Sequence, residues 1–208
     1  MIHAAGPFSD WLRAMRTALA GEAGMDVACG DCVGCCTSSY FIKVRAHETV
    51  AIERIGANNL RPVPEASNGS QLMGFDAQGH CLMFVRGGCS IYAHRPVTCR
   101  TYDCRVFTAA SMNAGPDKSV INERIASWQF DYPDPRDHAE HRAVTEAANF
   151  MRQHPVRFPG GHVPARPSEI AVLAVKSYQV FLDRPETDAE ISAAIVAACL
   201  AFDKGAST

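Results

Sequence analysis

The sequence predicts an α+β fold that is mostly helical: a helical shell around an irregular, cysteine-rich centre with at most a small sheet. Three observations predict it. Apolar residues recur at helical spacing toward both ends of the chain, eight of the nine cysteines fall between Cys29 and Cys104, and residues 56–80 are rich in Asn, Pro, Gly and Ser. With 208 residues, 47% of them hydrophobic and 20% charged, the chain can bury a core of its own. It reads as a single domain over 1–208, with a cysteine core at about 25–110 and a helical part at about 117–204.

Phe8, Trp11, Leu12, Met15 and Leu19 recur at i, i+3, i+4, i+7 and i+11, one apolar stripe of a helix that Gly21 or Gly24 would end. The glycine-punctuated run Cys29–Cys36 follows, then a short strand over Tyr40 to Val44 and a short helix over Ala46 to Ile55. Residues 56–80 read as a long excursion separating two cysteine blocks. Cys81 to Val85 reads as a buried strand, and Cys89 to Cys104 as irregular. Ile121, Ile125 and Trp128 have helical spacing, as do Val144, Ala147 and Met151 in the segment ending at His154-Pro155. Four prolines and two adjacent glycines make 155–167 a loop, and two helices follow at about Pro167 to Leu182 and Asp188 to Phe202.

Charge removes several function classes. Lys+Arg number 20 and Asp+Glu 22, a formal net charge of -2, so nothing marks the chain for nucleic acid or an anionic membrane surface. Met1 to Trp11 has neither a basic start nor a long apolar run, and the expected location is the cytoplasm. Thiols stay reduced there, and clustered cysteines point to metal or catalysis rather than to disulfides. Dinucleotide, P-loop and nucleophile-elbow motifs are missing.

The first block, Cys29, Cys32, Cys35 and Cys36, is C-x2-C-x2-C-C, and the second, Cys81, Cys89, Cys99 and Cys104, is C-x7-C-x9-C-x4-C. Two residues between ligands let a tight turn aim both thiolates at one ion, as in zinc ribbons and iron-sulfur proteins. Cys35 and Cys36 are adjacent and expected to diverge, so they serve different centres or only one is a ligand. Eight thiolates suit two four-coordinate sites, or one cluster with cysteines to spare. The opening C-x2-C-x2-C matches the start of the bacterial ferredoxin run, but no Cys-Pro follows. Arg86, Arg95, Arg100 and Arg105 interleave with the second block and supply counter-charge. His80 and His94 adjoin it as donors or substitute ligands, and His138 and His141 read as a solvated helix face. Cys199 shares a helix face with Ile191, Ile195 and Phe202 and is expected in the core.

Cys29 to Cys36, Gly79 to Cys81, and Cys89-Ser-Ile-Tyr-Ala-His-Arg-Pro-Val-Thr-Cys99-Arg-Thr-Tyr-Asp-Cys104 resemble the YkgJ-type, or CxxCxxCC, cysteine-cluster family of zinc- or iron-chelating proteins over roughly residues 25 to 110. All eight family cysteines have counterparts. The resemblance implies a bound metal centre, often described as that of an iron-sulfur oxidoreductase, without bringing an established reaction. A similar block occurs in flagellin lysine N-methylases. Among the matched residues, Arg95, Arg100 and Tyr92 are expected to support the centre from just outside the ligands. Pro96 turns the chain toward Cys99, Tyr92 and Tyr102 wall off water, and Asp103 holds Arg100 or Arg105. The leading expectation is a protein holding an iron-sulfur cluster, 4Fe-4S in preference, with a redox or Lewis-acid role on an unknown small-molecule or protein substrate. The alternative is a structural Zn2+ module of one or two four-thiolate sites that mediates protein–protein interaction.

Overall fold

The computed structural model describes residues 2–21, 23–25, 27, 31–63, 68–183 and 187–205. In chain order its strands are β1 (His3–Pro7), β2 (Ile42–Val44), β3 (Leu60–Pro62), β4 (Gln71–Met73), β5 (Phe84–Val85), β6 (Gly88–Cys89) and β7 (Trp128–Asp131). Its helices are α1 (Phe8–Leu19), α2 (Thr49–Ile55), α3 (Val97–Thr101), α4 (Arg105–Ala109), α5 (Ser119–Ser127), α6 (Pro135–Gln153), α7 (Pro167–Ser177), α8 (Val180–Asp183) and α9 (Asp188–Gly205). The fold is mostly helical α+β with sheets of two or three strands, as the sequence predicts. Among the described residues no helix is long and apolar enough to cross a membrane. The chain divides into two compact units, one of Met1–Ala23, Asp103–Pro116 and Ile125–Thr208, the other of Gly24–Tyr102 and Asp117–Arg124.

The first unit is built on helices. The stripe on α1 buries Phe8, Trp11, Leu12 and Met15, with Ala18 rather than Leu19 completing it. Asp134 caps α6: its side chain accepts from Arg136 N–H at 2.8 Å, Asp137 accepts from Asp134 N–H at 2.9 Å, and Pro135 takes the first helical position. Along α6, Val144, Ala147 and Met151 are buried as their spacing predicts, and α7 and α9 add Ile170, Val175, Ile195 and Cys199. The expected helix from Pro167 to Leu182 breaks at Tyr178 and Gln179 into α7 and α8. Trp128 does not continue α5. It opens β7, whose alternation buries Trp128 and Phe130 and exposes Gln129 and Asp131, and β7 pairs in parallel with β1 from His3↔Trp128 to Pro7↔Asp131.

The second unit carries the sheet β2-β4-β3, antiparallel throughout. Two of its three strands come from residues 56–80, which the sequence reading treats as an excursion. Val44, Leu60 and Met73 from the sheet, Ala51 and Ile55 from α2, and Met83 and Ile91 form a buried cluster against which Cys81 and Cys89 pack. The expected buried strand from Cys81 to Val85 shortens to β5, and Val85 is exposed. Arg86 and Gly87, both at positive φ (52° and 82°), make the two-residue turn that joins β5 to β6.

Candidate metal centre

Cys35 and Cys36 sit in a single 3-10 turn, Gly34–Thr37. Gly34 is buried against α5, where an added Cβ would lie 3.1 Å from Ile121 Cγ1. Ser38 Oγ donates to the Gly34 carbonyl at 2.5 Å, and Cys36 N–H to the Val33 carbonyl at 2.8 Å. The turn sets Cys35 Sγ and Cys36 Sγ 4.0 Å apart. The expectation that adjacent thiols diverge is corrected here, because it holds for extended backbone, where successive side chains take opposite faces. Four thiolates at about 2.3 Å around a tetrahedral ion have S···S edges of about 3.8 Å, so this pair matches one edge.

Backbone bonds bring the second block to the first. Cys81 N–H donates to the Cys36 carbonyl at 2.7 Å, and Ser39 N–H to the Gly79 carbonyl at 2.9 Å. Gly79 holds φ +82°, and a Cβ there would collide with Ser39 Oγ. Cys89 lies on β6 opposite Phe84. Cys99 lies on α3, which follows the extended Pro96 and is tied down at Val97 N–H by Glu48 (2.6 Å) and at Thr98 Oγ1 by the Lys43 carbonyl (2.6 Å).

The thiols act on one another. Burial, then the charges of Cys81, Cys35 and Cys89, push Cys99 up to about 12, while Arg95 opposes them. Burial raises Cys81, with Cys89 and Cys35 adding to it, and the hydrogen bond with Cys36 raises Cys35 far above the ordinary thiol value. Cys35, Cys36, Cys81, Cys89 and Cys99 are therefore one electrostatic group. Cys32 lies in the same unit, half-buried, and Cys29 falls outside the described residues. Cys104 belongs to the other unit, where Trp128 Nε1–H donates to its Sγ at 3.2 Å. All eight described cysteines are free thiols.

The residues expected around the ligands take different places. Arg95 bears on Cys99 and lies 4.0 Å from the centroid of the exposed Tyr92 ring, and Arg100, also exposed, accepts Met25 N–H at its carbonyl (2.8 Å). Asp103 chooses Arg105, at 2.8 Å, and also accepts Trp11 Nε1–H at 2.8 Å. His80 packs on Phe84 beside Asp76, and His94 is exposed. Of the two histidines expected on a solvated face, His138 is exposed as expected, whereas His141 is half-buried. His138 stacks on Tyr132 at 4.2 Å, and His141 bonds Tyr132 Oη at 2.7 Å. Sequence reasoning missed Tyr40, whose hydroxyl feels Cys35 and whose ring lies 5.7 Å from Tyr102 and 5.3 Å from Lys118 Nζ. Its position four residues after Cys36 was the available signal.

Among the described residues, no three His, Cys, Asp or Glu side chains are gathered closely enough to hold an ion as they stand. The donor chemistry nonetheless fits a soft metal: five reduced sulfurs in one another's field, two of them already at the separation of a tetrahedral edge. Comparison with curated proteins and with solved structures gives no match. One family model does match, CxxCxxCC, described as "Putative zinc- or iron-chelating domain", over residues 28–123. Those bounds enclose all eight cysteines of the two blocks, and over them the chain is similar to the zinc- or iron-chelating CxxCxxCC family.

Proposed function

We propose that the domain holds one zinc or iron ion in a four-thiolate shell drawn from Cys35, Cys36, Cys81, Cys89 and Cys99. The observation that carries this reading is the 4.0 Å separation of the adjacent Cys35 and Cys36 sulfurs, close to the S···S edge of a tetrahedral four-thiolate shell around one ion. A closed four-thiolate shell leaves no open position for substrate, so zinc there joins the two cysteine blocks and stabilises a surface for a protein partner, whereas iron adds one-electron chemistry. Arg95 offsets part of the charge at Cys99, with Tyr92 supporting the arginine. Reduced ligands call for a reducing compartment, the cytoplasm.

A second reading, an iron-sulfur cluster with a redox role, is favoured by the surplus of sulfur. The five grouped thiols and Cys32 exceed what one tetrahedral ion uses. Purification without oxygen, followed by iron, zinc and acid-labile sulfide measurements per chain, separates the two. One metal without sulfide is expected; stoichiometric sulfide overturns the single-ion reading in favour of the cluster, and a folded protein without metal overturns both. In the same assay Cys99→Ser is expected to lose metal and Cys199→Ser to keep it.

A further inference from the structure

A cavity of about 330 Å³ lies wholly within the first unit, apart from the cysteines. Its volume is at the lower end of small-molecule sites. One face of α1 supplies Arg13, Arg16 and Thr17, one face of α6 supplies Arg136 and Glu140, and Tyr178 contributes from the end of α7. Three guanidinium groups against one carboxylate give the lining a formal charge of +2, in a chain whose total is -2.

The cations differ in how they are held. Arg16 is fixed: its Nη1 donates to the Val175 and Lys176 carbonyls at 2.9 and 3.1 Å, and its guanidinium lies 5.4 Å from the Tyr178 centroid and 4.8 Å from that of Phe202. A guanidinium ordered in advance loses little freedom when an anion arrives. Arg13 is exposed and pairs with Asp10, an exchangeable surface ion pair. Arg136 and Glu140 are one turn apart, yet among the described residues neither side chain makes a hydrogen bond or ion pair. Glu140, Arg16 and Arg136 all act on the buried Tyr178 hydroxyl, so the three charges converge. The α1 N-terminus is already answered, since Ser9 N–H donates to Asp137 at 2.7 Å; the positive field of the cavity belongs to its side chains.

We propose that this cavity binds a small organic dianion, a phosphate monoester or a dicarboxylate, that also presents a hydroxyl or amine to Glu140. Arg136 and Arg16 grip the anionic group, in the fork geometry guanidinium shares with carboxylate and phosphate. Glu140 accepts from the donor, which excludes anions that bring only acceptors near it.

The test titrates the full-length protein, as purified with its metal, with inorganic phosphate and separately with malate at matched ionic strength, by calorimetry. Saturable binding of at least one probe is expected, phosphate alone marking the phosphate monoester class and malate alone the dicarboxylate class. Arg136→Gln is expected to weaken it about tenfold, the loss of one charge-assisted contact. Arg152→Gln, exposed on the last turn of the same helix, is expected to bind as the unmodified protein does. Glu140→Gln removes a repulsion and is expected to tighten phosphate. No saturable binding of either probe overturns the proposal, as does equal binding by the Arg136→Gln and Arg152→Gln proteins.

Discussion

A single carboxylate organises the start of α6. Asp137 is buried, accepts Ser9 N–H at 2.7 Å and Asp134 N–H at 2.9 Å, and its pKa is lowered chiefly by the Ser9 backbone bond. These bonds need the ionised form. The stabilisation they bring is present above the unfolded value, about pH 4, and is lost as pH falls through the still lower folded value. Asp137→Asn, which keeps one acceptor, is expected to cost about 1–2 kcal/mol at neutral pH. The same variant should lose less further stability than the parent protein between pH 6 and pH 3, in urea unfolding followed by circular dichroism. A larger acid loss in the variant would refute the assignment. The sequence signalled this residue only as part of a charged run with His138, Glu140 and His141. Periodicity does not report that Ser9, 128 positions away, brings the amide that Asp137 receives.

At the scale of elements, what was legible is what local pattern carries. The stripe from Phe8 to Met15 and the face of Val144, Ala147 and Met151 are helices in the structure because 3.6-residue periodicity needs no long-range partner to be recognised. The strands β1, β3 and β4 were illegible for the converse reason. His3–Pro7 contains two alanines, a glycine and a proline, none a strand former, and it is a strand only because β7 pairs with it. Leu60–Pro62 and Gln71–Met73 are three residues each, too short to show alternation. The cysteine spacing marked the candidate donors, while the direction of the Cys35 and Cys36 side chains depended on a 3-10 turn that no propensity marked. The joint between the blocks is the element most exposed to test. Gly79→Ala puts a Cβ at φ +82° against Ser39 and is expected to cost about 1–3 kcal/mol, more than most surface changes. Because Gly79 is two residues from Cys81, the metal content of this variant should fall together with its stability; unchanged thermal unfolding and metal content would refute the role given to that contact.

Over the whole molecule, the two units draw on different sources of stability. The first buries Phe8, Leu12, Val144, Met151, Val175 and Ile195, apolar groups that lie in a different unit from the five grouped thiols. The second has a smaller apolar cluster with cysteines packed against it, so a bound ion contributes folding free energy there. Chelation is expected to lower the unfolding temperature of the second unit while the first keeps its helical circular dichroism, turning the melt into two steps. A single unshifted transition after complete metal removal would refute this division. A zinc- or iron-chelating domain was thus within reach of the sequence, but the arginine-lined cavity was not. Its residues come from positions 9–17, 136–140 and 178, and only the packing of α1, α6 and α7 brings them together.

The bond from Cys81 N–H to the Cys36 carbonyl sets an order of events during synthesis. The 44 residues between those positions must be made before it can form, and closing such a loop costs about 3 kcal/mol of chain entropy. Cys99 emerges 18 residues later still. A nascent chain passes through a stage at which the first block is exposed without its partners, when C-x2-C-x2-C-C alone must be kept from wrong metals and from oxidation. With the ligand shell proposed above, the centre can close only after residue 99 has left the ribosome, so the supply of metal and the pace of translation would bear on the same step.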